Sequence, residues 1–137
     1  MHTKASTVLM VDDNEDEIFL TRHQMRKDGF INQFVSERRP EQVISRIRQL
    51  REMGESVIVL LDISMPRIDG FSLLEKMKSD SSCKDVPVVM YSASSDESDI
   101  FEAIELGADG YVVKPFRSSE FMAVIDGITG VKKCLVQ

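Results

Sequence analysis

The sequence predicts an α/β fold: one doubly wound, five-stranded parallel sheet with five helices packed on its two faces. Three observations carry this. Short apolar runs without polar alternation, VIVLL at Val57 to Leu61 being the clearest, have the composition of strands buried on both faces. Between them lie stretches whose apolar residues recur every three or four positions, the mark of helices with one buried stripe. The two patterns alternate strictly, and helical crossovers between strands impose parallel pairing.

Taken in order, Thr7 to Val11 (TVLMV) is the first strand, and it ends in Asp12 and Asp13. Asn14 is placed to cap the first helix, with Glu17 completing an Asn form of the capping box and Glu15 and Asp16 at the positive helix end. Ile18, Phe19 and Met25 form its inward side, and Gly29 after Lys27 ends it in the left-handed conformation. Ile31 to Val35 reads as a second strand, and its polar Asn32 and Gln33 mark it as an edge. Pro40 suits the first turn of the second helix, in which Val43, Ile44, Ile47 and Leu50 recur until Gly54.

The third strand, Val57 to Leu61, runs straight into Asp62. Met65-Pro66 and Asp69-Gly70 stop the strand and turn the chain toward a third helix marked by Phe71, Leu74 and Met77. A polar loop spans Ser79 to Asp85, and Pro87 to Tyr91 is the fourth strand, ended by Ser92. Ser94 and Glu97 make a capping box for the fourth helix, with Ile100, Ala103 and Ile104 inward and Gly107 closing it. Asp109 to Val113 is the fifth strand, terminated by Lys114-Pro115. Phe121, Val124, Ile125 and Ile128 carry the last helix up to Gly130.

Composition narrows the function. A chain of 137 residues with 42% hydrophobic content reads as a single domain able to bury its own core. Its net charge of −6 and the lack of a basic stripe argue against nucleic-acid binding. No apolar run approaches the roughly 20 residues of a membrane helix, and Met1 to Ser6 is short and polar. Cys83 and Cys134 form no C-x-x-C pair and have no nearby His, so neither a zinc site nor a redox motif is predicted. A reduced, cytoplasmic chain is the plain expectation.

The chemistry gathers at strand ends. Five-stranded doubly wound sheets commonly take the order 2-1-3-4-5; the residues alone do not fix it, but it is the expected order and sets strands 1 and 3 side by side. Asp12, Asp13 and Asp62 would then share one crevice, where three carboxylates repel unless a cation lies among them. Hard oxygen donors suit Mg²⁺. A carboxylate can also act as a nucleophile toward phosphorus. Lys114 would bring positive charge to the flank, and Ser92 a hydroxyl.

These motifs, in this order, resemble the response-regulator receiver domain, the phosphoacceptor half of bacterial-type two-component systems, over about residues 6 to 130. The carriers are Asp12-Asp13, Asp62 with Met65-Pro66 and Asp69-Gly70, Ser92-Ala93, and Lys114-Pro115. The resemblance implies a flavodoxin-like, chemotaxis-regulator-like single receiver spanning 1–137 with short tails. It also implies that Asp62 takes the phosphoryl group. Mg²⁺ would be held by Asp13, Asp62 and the backbone carbonyl of Ser64, and by Asp12 through water. Lys114 would pair with the acceptor or the phosphoryl oxygens, and the bond before Pro115 would be cis. Ser92 would move toward the phosphoryl group, with Tyr111 turning inward behind it and reshaping the surface of helix 4, strand 5 and helix 5. The implied partners are a sensor histidine kinase or histidine phosphotransfer protein and a downstream protein target. A homodimer would use the same surface.

Ser92 stands where the family can have Thr, which keeps the hydroxyl and loses a methyl. Ser64 and Ser94, two past Asp62 and two past Ser92, supply no carboxylate or amide to position an attacking water, which predicts a phosphorylated state of moderate or long lifetime. Ser64 also counts against a Mg²⁺-dependent phosphohydrolase, which carries a second acid at that position. The acidic DDNEDE stretch would repel the phosphate of a flavin carrier. A receiver-like module that binds without phosphorylation is the remaining alternative. His23, among polar neighbours on the first helix, and His2, in the N-terminal tail, are not expected to be phosphoacceptors or ligands. Asp96, Glu97, Asp99, Glu102 and Glu105 read as a solvated face able to select a basic partner.

Overall fold

The computed structural model describes residues 6–30, 32–65 and 68–128. The sequence expectations for His2, Ile31, Pro66, Gly130, Cys134 and the tail 131–137 lie outside the described residues. The elements alternate: β1 (Thr7–Val11), α1 (Glu15–Lys27), β2 (Phe34–Glu37), α2 (Val43–Glu52) after a 3-10 turn at Pro40–Gln42, β3 (Val57–Asp62), α3 (Gly70–Ser79), β4 (Val88–Ser92), α4 (Glu97–Glu105), β5 (Gly110–Val113) and α5 (Ser118–Asp126). All strand pairs are parallel, and the order is β2-β1-β3-β4-β5. Among the described residues no helix is long and apolar enough to cross a membrane.

The period of two along the strands builds two cores. Leu9, Val11, Val59, Leu61, Val88 and Met90 point to the face covered by α2, α3 and Ala103 of α4. Val8, Met10, Ile58, Leu60, Val89 and Val112 point to the opposite face, against Ile18 and Met25 of α1 and Phe121 and Ile125 of α5. β1, β3 and β4 are therefore buried along their whole length, which is why these strands lack alternation. Asp62 follows Leu61, so its side chain falls on the α1 and α5 side.

Several boundaries differ from the sequence reading. The second strand lies at Phe34–Glu37 rather than from Ile31. Phe30 is buried, and Asn32, far from marking a solvated edge, is 3% exposed and donates through Nδ2 to the Ser6 carbonyl at 2.5 Å. The strand is nonetheless the sheet edge. Phe19 and Ile104, expected inward, are 64% and 60% exposed. The buried stripe of α1 is Ile18, Thr21 and Met25, and Phe19 is one residue, about 100° of helix, off that stripe. α4 buries only Ala103 fully, leaving Ile104 outside and Ile100 at the margin.

The caps show the same mixture. Asn14 accepts from the backbone N–H of Asp16 and Glu17, as its position predicts. Gly29, with φ 85°, ends α1 in the left-handed region. Asp69 caps α3 through Ser72 N–H at 2.8 Å. The expected Ser94–Glu97 box is absent: Asp96 is the residue before α4, and the Ser94 hydroxyl instead donates to Asp99 at 2.6 Å. The last helix stops at Asp126, ahead of Gly127, because that residue's N–H turns back to the Val124 carbonyl.

Candidate functional site

Register assembles the site. β1 and β3 pair Val11 with Leu61, so the next residues, Asp12 and Asp62, leave the sheet side by side. β4 and β5 pair Ser92 with Val113, and the next step is a bond from Lys114 N–H to the Ser92 carbonyl at 2.7 Å. Four strand ends thus deliver Asp12, Asp62, Ser92 and Lys114 to one crevice at the carboxyl edge, the place where α/β sheets bind ligands. The Lys114–Pro115 peptide bond is cis.

Three acids form the floor. One carboxylate oxygen from each of Asp12, Asp13 and Asp62 lies within 4.8 Å of the others. Asp12 is fully buried and Asp62 is 2% exposed, while Asp13 is half-buried. Asp12 Oδ1 accepts from Asn14 N–H at 2.9 Å; its Oδ2 is buried without a hydrogen-bond partner. Asp62 Oδ1 accepts from Ser64 N–H at 3.3 Å and lies 3.2 Å from Lys114 Nζ. A buried acceptor without a donor, among acids, fits a divalent cation better than it fits water alone. Mg²⁺ prefers oxygen ligands of this kind, and these three side chains fit that ion.

The electrostatics agree. Burial, with the neighbouring Glu17 carboxyl next, pushes Asp12 up to about 8 from an ordinary 3.8. Burial likewise raises Asp62, and the Lys114 ammonium pulls only partly against it. A carboxyl whose folded pKa exceeds its unfolded one holds a proton that the unfolded chain has released. For Asp12 that stabilising contribution is full below about pH 4 and is lost as pH rises toward about 8. Without metal the protein is therefore expected to lose stability from pH 5 to pH 8, by up to about 1.4 kcal/mol per pH unit from Asp12, with Asp62 acting in the same direction. Urea unfolding in EDTA at both values measures this, and Mg²⁺ should suppress the difference by compensating the charge.

Other expected residues fall at the rim. Ser64 and Ala93 are exposed, beside the crevice. Ser92 is 5% exposed, and its Oγ accepts from Ser94 N–H at 3.0 Å. Tyr111 is half-buried, and its hydroxyl donates to the Ser94 carbonyl at 2.9 Å. Ser94 thus connects the site hydroxyl to the aromatic on β5 by hydrogen bonds on both sides. On the other flank, Asp13 opens onto a cleft of about 650 Å³ lined also by Arg38, Arg39 and Arg46.

One site residue escaped the sequence reading. Glu17 does not complete a capping box, since Asn14 N–H is taken by Asp12. Its carboxylate reaches Lys114 Nζ, 97 positions away, at 2.9 and 3.1 Å. The available signal was helical spacing: Glu17 precedes Thr21 by four, on the side of α1 that faces the sheet.

An acidic, cation-fitting pocket with a buried strand-end Asp and a Lys just past the last strand is the site of an α/β domain suited to phosphoryl chemistry. The response regulator receiver domain family matches residues 8–126, and the chain belongs to it. The transcriptional regulatory protein GltR of Pseudomonas aeruginosa is 33% identical over 128 residues, 93% of this chain and 50% of that protein. The DNA-binding response regulator MtrA of Mycolicibacterium smegmatis is 32% identical over 123 residues, 90% of this chain and 50% of that protein. The chain spans about half the length of these curated relatives. Among solved structures, the bacteriophytochrome response regulator AtBRR is 27% identical, with a TM-score of 0.80 and coverage of 98% and 99% of the two chains. Chemotaxis protein CheY4 of Vibrio cholerae, 20% identical with a TM-score of 0.74 over 90% of this chain and 98% of that one, shares the fold.

Proposed function

We propose that this chain works as one receiver unit in the cytoplasm, accepting a phosphoryl group on Asp62 from a histidine kinase or a histidine phosphotransfer protein. The observation that carries this reading is the buried Asp62 carboxylate with Lys114 at 3.2 Å and Asp12 and Asp13 beside it. An Asp62 oxygen forms the new bond to phosphorus while the bond from phosphorus to the donor's imidazole nitrogen breaks, its electron pair leaving with the imidazole. Asp13, Asp62 and the Ser64 carbonyl, with Asp12 through a water, would hold Mg²⁺, which when bound would neutralise charge on the phosphoryl oxygens. Lys114 pairs with those oxygens from the other flank. Incubation with Mg²⁺ and a small acyl phosphate should add one phosphoryl group by intact mass. An unlabelled wild type would leave a module that binds partners without phosphorylation, and continuous turnover of phosphate monoesters would indicate a hydrolase.

The switch follows from Ser94. When the Ser92 hydroxyl turns to a phosphoryl oxygen it gives up Ser94 N–H, and the loop that holds Tyr111 is released. Tyr111 then moves and α4 with it, so that the surface of α4, β5 and α5 reports the state to a downstream target, or to a second copy of the chain. Tyr111→Ala should leave labelling unchanged but abolish the phosphorylation-dependent change in hydrogen exchange across Ser94–Glu105. An exchange difference equal to wild type would remove Tyr111 from the switch. With no carboxylate or amide at Ser64 or Ser94 to position an attacking water, the phosphorylated state should have a moderate or long lifetime.

A further inference from the structure

Lys114 is not committed to Asp62. Its ammonium lies 2.9 and 3.1 Å from the two Glu17 oxygens and 3.2 Å from Asp62 Oδ1, with the Tyr91 ring centroid at 4.9 Å. An ammonium has three N–H donors. The distances rank Glu17 first. Yet the Asp62 side chain is 3% exposed and that of Glu17 is 32% exposed, so the attraction to Asp62 acts through the less polarisable medium. The lysine is therefore shared between the two acids, with its shorter contacts to Glu17. Glu17 sits in the first turn of α1, whose start is pinned by Asn14, so its claim on the ammonium is anchored to the helix.

Resting on the reading of Asp62 as phosphoacceptor, we propose that Glu17 is a positioning residue that competes with Asp62 for the Lys114 ammonium and so limits the charge the lysine delivers to the phosphoryl group. A phosphoryl group brings more negative charge and more acceptor oxygens than a carboxylate. It must draw Lys114 off Glu17 to gain the full contact, so Glu17 lowers the stability of the phosphorylated state. Phe19 and Leu20, exposed on the same helix, make α1 accessible to a partner. A partner that rotated Glu17 outward would hand the lysine to the phosphoryl group.

The test is a double-mutant cycle of Glu17→Gln and Lys114→Met, with beryllofluoride as the phosphoryl mimic at saturating Mg²⁺ and affinity read by fluorine NMR titration. Glu17→Gln should tighten binding about three- to tenfold when Lys114 is present and change it by less than about twofold in Lys114→Met, because the effect runs through the lysine. Equal tightening in both backgrounds would mean that Glu17 acts only as one more negative charge, and would overturn the proposal. Weakening in the Lys114 background would make Glu17 an anchor and overturn it as well. Glu15→Gln removes the same charge from a side chain 79% exposed and paired with Arg38 rather than Lys114; an equal effect there would also overturn the proposal. In metal-free protein, the Lys114 ammonium nitrogen resonance should move in Glu17→Gln and stay in Glu15→Gln. A wild type that binds no beryllofluoride would instead overturn the phosphoacceptor reading, and this proposal with it.

Discussion

Asp62→Asn should incorporate no phosphoryl group under conditions that label the wild type to one per chain. The amide keeps the shape of the carboxylate and loses the anionic oxygen that forms the bond to phosphorus. The loss should not come from unfolding. Burial raises the Asp62 pKa more than Lys114 lowers it, so the ionised carboxylate opposes folding in the metal-free protein. A neutral Asn removes that cost and also the repulsion with Asp12. Lys114 retains Glu17 at 2.9 Å, so no buried cation is left alone. In EDTA at pH 8 the variant is therefore expected to be at least as stable as the wild type. Label found in Asp62→Asn by intact mass and peptide mapping would place the acceptor elsewhere.

Gly70→Ala should destabilise the fold and disable the site together. A Cβ at Gly70 would lie 2.6 Å from both the Asp62 carbonyl oxygen and Ile63 Cα. Two effects oppose each other. Gly70 has no positive φ and opens α3, where replacing glycine by alanine ordinarily stabilises by about 0.4–1 kcal/mol through the unfolded chain. The clash is with backbone, which cannot swing aside as a side chain would, and such overpacking costs about 1–3 kcal/mol. The clash wins, toward the upper end of that range because Gly70 N–H also donates to the Ile63 carbonyl at 2.7 Å and holds the two segments together. Relief must push the Asp62–Ile63 backbone, and with it the acceptor, away from α3. A displacement approaching 1 Å lowers a positioned reaction by roughly 10–100-fold. A lower urea midpoint at unchanged slope, with slower labelling in the folded protein, would show both effects. Wild-type stability would mean that α3 can shift away from β3 at little cost.

The Asp69-Gly70 pair shows how the sequence can be right for an incomplete reason. It is legible as a turn into a helix, and Asp69 does cap α3. That the glycine is also needed for close approach to the acceptor's own carbonyl depends on α3 packing back on β3, which no local pattern contains. Glu17 is the converse case. Its local reading, an acid three residues after an Asn cap, is coherent, but Asp12 takes the Asn14 N–H and Glu17 turns to a lysine 97 residues away. Ser94 likewise has the spacing of a helix cap but bonds Asp99 and, through its backbone, Ser92 and Tyr111.

By itself the sequence determined the alternation of strands and helices, the two-faced burial of the central strands, and the acids, hydroxyl and lysine at the strand ends. These follow from side-chain periodicity and local chain stops, which neighbouring residues alone can set. Only the tertiary structure decided that β1 lies beside β3, which brings Asp12 next to Asp62, and that Lys114 is shared between Glu17 and Asp62. Charges separated by 50 or more positions meet only after the sheet has closed. Their strength depends on the burial and distance that closure creates, and Asp62 becomes a candidate acceptor rather than a solvated strand end for that reason.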